Sequence, residues 1–447
     1  MEKKQRTTRK GLALLLLFVL ATALLCTSPL TAHAALDTDE VDDIIASIPK
    51  DWPEAPEIEA EAAILIDAES GEILFAKNAT QKMYPASTTK LMTALLTLEN
   101  ASLQDIVKFS AKAVAIPSNS SYIGMRRGEQ MELRECMYGL LLPSANEVAN
   151  ALAEHVSGDI GTFVVRMNER MFQLGGVNTQ FANPSGLHTD GHFTCAYDLA
   201  LVMQECVKNT NFVEISSQLS YVHHADDLLP KDIPMMNTNL MIRPSSEYYS
   251  EYVVCGKTGH TDESGQNLVT YAEKDGTQLV VVIMGCENGQ QYVGTQSLLD
   301  YGFNYFHRVL PSSLDNSLNI ENYFTASPLQ IPTPEIPLLK IDQTSTILLP
   351  DNVTSEDLEK TTVDTPTGKQ ITYTYQGYPL GTVVLSYVSK GAESPFLVDR
   401  SDVDLNYELP KNLNLIDGWL IVLIGGMGFI FLLLLFWLAR RFRRTRN

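Results

Sequence analysis

The chain has 447 residues, which is too many for one average core and fits two folded domains with further segments at the ends. Its 45% hydrophobic and 19% charged residues are typical of a globular protein and exclude a disordered or fibrous chain. The formal net charge of −20 repels nucleic acid and anionic lipid headgroups, so we expect no nucleic-acid partner. An anionic substrate would need a locally positive pocket.

The first 34 residues have the layout of a secretory signal peptide. Basic residues precede an uncharged, mostly apolar run, and Ala32 and Ala34 form a small-residue cleavage site. Residues 35–60 follow. They are acidic and contain three prolines, so we expect a loose leader there.

The other end of the chain predicts a membrane anchor. Residues 418–439 carry no charge and are long enough to cross a hydrocarbon core of about 30 Å. The last eight residues, 440–447, contain five arginines, and such cationic tails stay on the cytoplasmic side. We therefore predict a single-pass cell-membrane protein whose folded domains are extracytoplasmic, joined to the anchor by a polar stalk at 397–417.

The first folded domain is predicted over residues 61–311, with α/β (α+β) character. Two apolar runs suggest a hairpin, a helix-rich middle follows, and strands and a last helix close the domain. The predicted strands are 62–67, 72–77, 252–257, 266–272 and 277–284, and the predicted helices include 88–99, 146–156 and 291–306. This order implies a sheet completed by both ends of the domain, with helices packed against it.

A cluster of turn-forming residues at 311–316 marks the predicted domain boundary. Alternating strand patterns at 371–375 and 382–387 then predict a small all-β sandwich over residues 317–396. Because those strands carry no clustered acids, bases or nucleophiles, we expect this domain to be a spacer or a docking module.

The first chemical motif is S-x-x-K, formed by Ser87 and Lys90 just after Pro85. Residues three apart share a helix face, so the lysine amine can reach the serine hydroxyl and act as its base. This requires the lysine pKa to fall by about 3 from its reference value of about 10.4, at about 4 kcal/mol. A second S-x-x-K, at Ser47 and Lys50, contains a proline and lies in the leader, so we disfavour it.

The second motif is S-x-N, formed by Ser144 and Asn146 before a predicted helix. The hydroxyl of Ser144 could pass a proton to a leaving amine, and the amide of Asn146 could orient Lys90 and donate to a substrate carbonyl. The alternative is that Ser144 is simply the N-cap of the helix.

The third motif is K-T-G, at the end of a predicted strand. Lys257 and Thr258 could hold a substrate carboxylate, and Gly259 would allow close backbone approach. The N–H of His260 could complete an oxyanion hole with the N–H of Ser87.

The three motifs together, in this order, form the set of penicillin-recognising serine enzymes. The chain most closely resembles the D-alanyl-D-alanine carboxypeptidases among the low-molecular-mass penicillin-binding proteins. YPASTTKLMT at 84–93, FANPSGLH at 181–188, YDLA at 197–200 and KTGHTDESG at 257–265 agree with that resemblance, which covers about 62–306 well.

The resemblance implies a β-lactamase-like (transpeptidase) fold and hydrolysis of the terminal D-Ala–D-Ala bond of peptidoglycan stem peptides, with β-lactams as inhibitors and no cofactor. Ser87 would form the acyl-enzyme, with Lys90 activating it and Ser144 relaying a proton. Asn146 would orient, and Lys257 with Thr258 would hold the terminal carboxylate.

Two residues depart from the family pattern: Glu147, where the family has Asp, and His260, where an aromatic residue is frequent. These departures affect the expected substrate preference more than the mechanism. His188 and His192 are four apart but lie in a predicted loop. His223 and His224 have no obvious third ligand, so we predict no metal site.

Two other functions remain open. A β-lactamase would need rapid deacylation, commonly through a Glu-activated water, and Ser-Ala-Asn differs from the Ser-Asp-Asn of class A enzymes. A catalytically idle wall-binding scaffold is disfavoured because all three motifs are intact.

Overall fold

The computed structural model describes residues 37–310, 339–341, 347–365 and 368–387. The expected signal peptide, the boundary at 311–316, the stalk, the membrane anchor and the basic tail lie outside these residues. Within the described part of the chain, no helix has both the length and the apolar character needed to cross a membrane.

The described residues form eight α-helices and fifteen strands. The helices are α1 (Thr38–Ala46), α2 (Lys90–Asn100), α3 (Leu133–Leu141), α4 (Asn146–Ser157), α5 (Ile160–Gln173), α6 (Ala196–Cys206), α7 (Thr210–Ser216) and α8 (Gln290–Tyr305). The strands are β1 (Ala62–Asp67), β2 (Ile73–Lys77), β3 (Ile106–Lys108), β4 (Gln130–Glu132), β5 (Ser220–His223), β6 (Ile233–Met236), β7 (Val253–Thr261), β8 (Gly265–Lys274), β9 (Thr277–Cys286), β10 (Phe306–Val309), β11 (Leu339–Ile341), β12 (Ile347–Pro350), β13 (Glu359–Thr365), β14 (Gly368–Tyr375) and β15 (Tyr378–Tyr387).

The central sheet has the strand order β2-β1-β9-β8-β7, and its neighbouring strands are antiparallel. The first two strands come from the beginning of the domain and the other three from its end, as the sequence predicts. α6 packs against β1 and β9, and α8 packs against β8 and β9. The α/β arrangement is therefore confirmed.

Side chains of β1 and β9 alternate between two hydrophobic clusters, because successive residues of a strand point to opposite faces. Ile64 and Val282 pair in register and belong to the cluster that contains the helical layer. Leu65 and Val281 also pair, and they belong to the cluster that contains α8 and strands of the second domain. The sheet is covered on both faces, and every residue of β1 is buried.

The expected loose leader differs from the structure, in which the segment is ordered from residue 37 onward. Asp37 caps α1 by accepting from the N–H of Glu40, whose side chain accepts in return from the N–H of Asp37. Val41, Trp52 and Ile58 are buried. The acidic, proline-rich composition predicted a loose segment because its apolar residues are few and widely spaced. In the fold these residues pack against distant parts of the chain.

The described part of the second domain consists of strands, with only a short 3-10 turn at Ser355–Asp357. Four strands form a sheet in the order β11-β15-β14-β13, and β12 pairs with β10 at the end of the first domain. β14 and β15 are joined by Gln376 and Gly377, both with positive φ, which suits a tight hairpin.

Tyr378 fixes the second domain to the edge of the central sheet. Its hydroxyl donates to the carbonyl of Ile73 at 2.6 Å and accepts from the N–H of Ile73 at 3.1 Å. Its ring also packs edge-on against the ring of Trp52, with the centroids 5.2 Å apart. One buried side chain thus joins β2, the leader and the second domain.

We predict that Tyr378→Phe lowers the free energy of unfolding by about 1–3 kcal/mol, because two buried main-chain groups of Ile73 lose their partner. Urea denaturation would measure the change. Tyr249→Phe, at a residue 45% exposed, is the matched control and should change stability by less than about 0.5 kcal/mol. Equal effects of the two substitutions would contradict this reading of the domain junction.

Candidate active site

The S-x-x-K residues lie on a 3-10 turn, Ala86–Thr89, that continues directly into α2 at Lys90. The Nζ of Lys90 is 3.0 Å from the Oγ of Ser87. Lys90 is fully buried, whereas Ser87 is partly exposed. A substrate can therefore reach the hydroxyl while the amine behind it is shielded from water.

Three oxygens surround the amine of Lys90. Besides the hydroxyl of Ser87, they are the Oδ1 of Asn146 at 2.7 Å and the main-chain carbonyl of Ser185 at 2.6 Å. The amide oxygen and the carbonyl can only accept, so they take two N–H bonds. In the neutral amine the remaining lone pair then faces Ser87, the one partner of the three that can donate a proton. This is the arrangement of a base held against its nucleophile.

Electrostatics favour that neutral form. Burial lowers the pKa of Lys90 well below its usual value, and the charge of Lys257 lowers it further. The carboxyl of Glu147 acts in the opposite direction. The large reduction in pKa that the serine–lysine pair requires thus has two physical causes, desolvation and a neighbouring ammonium.

Lys257 and Thr258 lie on β7, the edge strand of the central sheet. Lys257 is buried, which lowers its pKa to about 7, and its Nζ donates to the carbonyl of Thr258 at 2.9 Å. The hydroxyl of Thr258 is 2.7 Å from the hydroxyl of Thr238. Since Lys257 lowers the pKa of Lys90, the sheet edge and the nucleophile turn belong to one electrostatic site.

Gly259 lets β7 lie directly against the nucleophile turn. A Cβ on this residue would stand 3.0 Å from the carbonyl oxygen of Pro85 and 3.1 Å from the main-chain nitrogens of Ser87 and Thr88. The predicted close backbone approach at K-T-G is therefore present. His260 follows, exposed, with its Nδ1 3.1 Å from the carbonyl of Gly265. The oxyanion pair of the His260 and Ser87 N–H groups stays a prediction.

Ser144 does not cap α4. The residue before the helix is Ala145, which makes no side-chain cap, and Ser144 itself has a φ of 65°. Its Oγ is buried without a hydrogen-bond partner among the described residues. The N-cap alternative is therefore wrong. An unpaired hydroxyl on a strained backbone is typical of a functional position.

Sequence reasoning assigned no role to the loop that supplies the Ser185 carbonyl, although its motif entered the family resemblance. Asn183 shapes this loop, with its Oδ1 accepting from the N–H of Ser185 at 3.1 Å and of Gly186 at 2.7 Å. The hydroxyl of Thr93 donates to the carbonyl of Pro184 at 2.6 Å. An Asn-Pro-Ser-Gly turn beside a serine motif is the pattern that could have identified it.

His192 holds the same loop and is not arranged as a metal ligand. Its Nδ1 accepts from the N–H of Ala182 at 2.8 Å, so its Nε2 carries the proton and donates to the hydroxyl of Thr89 at 2.9 Å. Burial, and then the charge of His188, lower its pKa to about 4. The neutral ring links the loop to the nucleophile turn.

Asn267 was also missed. It lies on β8, and its Nδ2 donates to the carbonyls of Tyr84 at 2.9 Å and Pro85 at 3.1 Å. Its Oδ1 accepts from the N–H of Gly285 at 3.0 Å. The sheet thus fixes the backbone that leads into Ser87.

Glu147, one of the two residues that depart from the family pattern, holds a loop rather than facing solvent. Its Oε1 accepts from the N–H groups of Ile123 at 2.8 Å, Gly124 at 3.0 Å and Met125 at 3.4 Å. Burial raises the pKa of this carboxyl, and those N–H groups oppose the rise.

These features define a penicillin-recognising serine enzyme: a serine with a buried lysine base beside an S-x-N helix and a K-T-G edge strand. The family model described as D-alanyl-D-alanine carboxypeptidase matches residues 50–288, and the chain belongs to that family. The match includes part of the segment expected to be a loose leader.

Individual relatives agree. D-alanyl-D-alanine carboxypeptidase DacF of Bacillus subtilis is 31% identical over 254 residues, covering 56% of this chain and 63% of the relative, which is less than two thirds of its length. DacA of Escherichia coli K12 is 28% identical over 311 residues, which cover 67% of this chain and 72% of the relative.

Solved structures share the fold. A D-alanyl-D-alanine carboxypeptidase from Mycobacterium tuberculosis H37Rv has 26% identity and a TM-score of 0.52, covering 57% of this chain and 95% of that one. Penicillin binding protein 6B from Escherichia coli has 24% identity and a TM-score of 0.57, with 76% and 98% covered, and supports the fold alone.

We predict that Gly186→Ala largely abolishes acylation of Ser87. A Cβ at this position would lie 1.8 Å from the carbonyl oxygen of Ala86, so the nucleophile turn or the Ser185 loop must move. Gly191→Ala is the matched control, because its φ of 79° is close to the 86° of Gly186 but its Cβ would meet nothing within 4 Å. Labelling with a fluorescent penicillin would compare them. Equal labelling of the two variants would contradict the predicted steric effect at residue 186.

We predict that Glu147→Gln shifts the acid limb of the acylation pH profile to lower pH. The amide keeps an acceptor for the loop N–H groups but removes a negative charge that raises the pKa of Lys90, so the amine stays neutral at lower pH. Rates of penicillin acylation between pH 4 and about 9 would give the profile. Glu154→Gln, on the same helix, is the control. A profile that is unchanged or shifted upward would contradict the assignment.

Proposed function

We propose that this chain is an extracytoplasmic serine carboxypeptidase that removes the terminal D-Ala from peptidoglycan stem pentapeptides through an acyl-serine intermediate. The observation that carries the proposal is the amine of Lys90 held 3.0 Å from the hydroxyl of Ser87 by two acceptor-only oxygens. Membership of the D-alanyl-D-alanine carboxypeptidase family supports the same substrate. Penicillins would acylate the same serine.

The proposed reaction begins when the Oγ of Ser87 attacks the carbonyl of the D-Ala–D-Ala bond while its proton passes to Lys90. The N–H groups of Ser87 and His260 stabilise the oxyanion. Ser144 relays a proton to the leaving nitrogen, the C–N bond breaks and D-Ala departs. Water then attacks the serine ester, releasing the shortened peptide and returning the proton to Ser87.

The other residues bind the substrate. Lys257 and Thr258 hold its terminal carboxylate at the edge of the sheet. Asn146 accepts from Lys90 through its oxygen, and its Nδ2 is the group that donates to the peptide carbonyl on the acyl side. The burial of Lys257 supports its role, since an ion pair is stronger where water is excluded.

We further propose that the protein acts at the outer face of the cell membrane. The apolar segment at 418–439 and the arginines that follow it support a single-pass anchor with a short cytoplasmic tail. The second domain would be a small β-sandwich that sets the distance between the membrane and the active site. The expected cleavage before Ala35 would leave α1 and the folded leader in the mature protein.

Ser87→Ala should abolish both penicillin labelling and release of D-alanine from a pentapeptide stem, because Ser87 is the one hydroxyl hydrogen-bonded to Lys90 among the described residues. The purified full-length protein would be assayed with a fluorescent penicillin and by mass spectrometry of muropeptides. Ser47→Ala, at the exposed serine of the other S-x-x-K, is the matched control and should retain both. Label retained by Ser87→Ala would overturn the proposal. Rapid hydrolysis of the penicillin by the unaltered protein would favour the β-lactamase.

A further inference from the structure

A second group of ligating side chains lies outside the active site. Glu135 on α3, His223 at the end of β5 and Asp226 in the loop at 224–232 place one ligating atom each within 4.8 Å of one another. In the sequence, His223 has no ligand partner at a recognisable spacing. The fold supplies two carboxylates to it from different segments.

Each of the three side chains is oriented by a further hydrogen bond. The hydroxyl of Tyr221 donates to the Oε1 of Glu135 at 2.8 Å. The Nε2 of His223 faces the carbonyl of Leu229 at 3.3 Å, which can only accept, so the proton of that bond is on Nε2. The Oδ1 of Asp226 accepts from the N–H of Leu229 at 2.7 Å, leaving Oδ2 free of this bond. Such outer bonds are what fix the ligands of metal sites.

The centre of the group already has nearly the spacing of ligands around one ion. The Nδ1 of His223 is 2.9 Å from both carboxylate oxygens of Glu135. In a tetrahedral site with bonds of about 2.1 Å, ligand atoms are about 3.4 Å apart. If an ion replaced the proton between His223 and Glu135, these ligand atoms would have to move apart by about half an ångström. The exposed side chain of Asp226 would have to move inward.

The charge around the group favours a cation. The loop at 224–232 contains Asp227 and Asp232 in addition to Asp226. Its single lysine, Lys231, is directed away to the carboxylate of Glu129 at 2.7 Å. His223 is 1% exposed and the side chain of Glu135 is 16% exposed, so an ion would be largely removed from water on one side and open to it at Asp226.

We propose that Glu135, His223 and Asp226 bind one divalent transition ion of the Zn²⁺ type, with water in the fourth position. An imidazole nitrogen selects such ions over Ca²⁺ and Mg²⁺, which prefer all-oxygen sites. The ion fastens the β5–β6 hairpin to α3. β6 leads to Thr238, whose hydroxyl is 2.7 Å from that of Thr258 on β7.

The experiment titrates ZnCl₂ into the full-length protein by calorimetry and follows thermal unfolding with and without the ion. One saturable ion per chain is expected, with a higher unfolding midpoint and with Ca²⁺ binding at least about tenfold weaker. His223→Gln should weaken Zn²⁺ binding at least about tenfold. Asp226→Asn should do the same while leaving the Glu135–His223 pair, and the stability without zinc, unchanged.

His155→Gln is the matched control. This histidine also pairs with a carboxylate, the Oδ2 of Asp105 at 3.2 Å, but belongs to no group of three ligands among the described residues. It should bind zinc as the unaltered protein does. The proposal is overturned if the unaltered protein shows no saturable zinc binding, which would leave the group an ion pair only. It is equally overturned if Asp226→Asn binds zinc normally, or if Ca²⁺ binds as tightly as Zn²⁺.

Discussion

The buried amine of Lys90 is the constraint on which the catalytic half of the molecule depends. Burying a lysine away from water costs several kcal/mol of free energy unless the amine is neutral or fully hydrogen-bonded. Here it is surrounded by oxygens from three separate segments: the nucleophile turn, the start of α4 and the loop at Ser185. Folding therefore has to bring those segments together to satisfy this one nitrogen, and in doing so it assembles the site.

Two residues of the same site have a strained backbone. Ala86 and Ser144, which lack the freedom of glycine, have φ values of 47° and 65°. Positions of this kind cost about 1–3 kcal/mol each and persist only where neighbouring contacts fix them. At Ala86 the fixing contacts come from Asn267 on the sheet and from the glycine backbone of residue 186 against its carbonyl. The rigidity of the sheet is thereby transmitted to the nucleophile.

The sequence predicted the helices and strands that are defined by patterns of side chains. The hairpin at β1 and β2, the strands β8 and β9 and the last helix α8 lie within a few residues of their expected positions, because long apolar runs and turn residues define them. The S-x-x-K lysine and the S-x-N asparagine were placed together correctly, since spacing on a helix and motif order constrain them.

What the sequence did not reveal are contacts made by main-chain atoms and by distant segments. The Ser185 carbonyl contributes through its backbone, so no residue type marks it. The ring of Trp52 packs against those of Phe306 and Tyr378, both more than 250 residues away, whereas the local acidic composition predicted a loose segment. The His223 group likewise exists only because β5 and α3 are adjacent in the fold. Local sequence predicts elements, but tertiary packing decides which groups meet.

The distribution of charge would let so acidic a protein take the anionic substrate proposed for it. Two lysines, Lys90 and Lys257, are buried close enough for the second to lower the pKa of the first, and Glu147 is the carboxyl that opposes this effect. Since burial lowers the pKa of Lys257 to about 7, the free site carries only part of a positive charge at neutral pH. In the proposed complex the substrate carboxylate would stabilise the ammonium of Lys257, so the site would gain positive charge where that carboxylate is held. The same ammonium lowers the pKa of Lys90, so in the proposed reaction one buried charge serves both substrate binding and activation of the nucleophile.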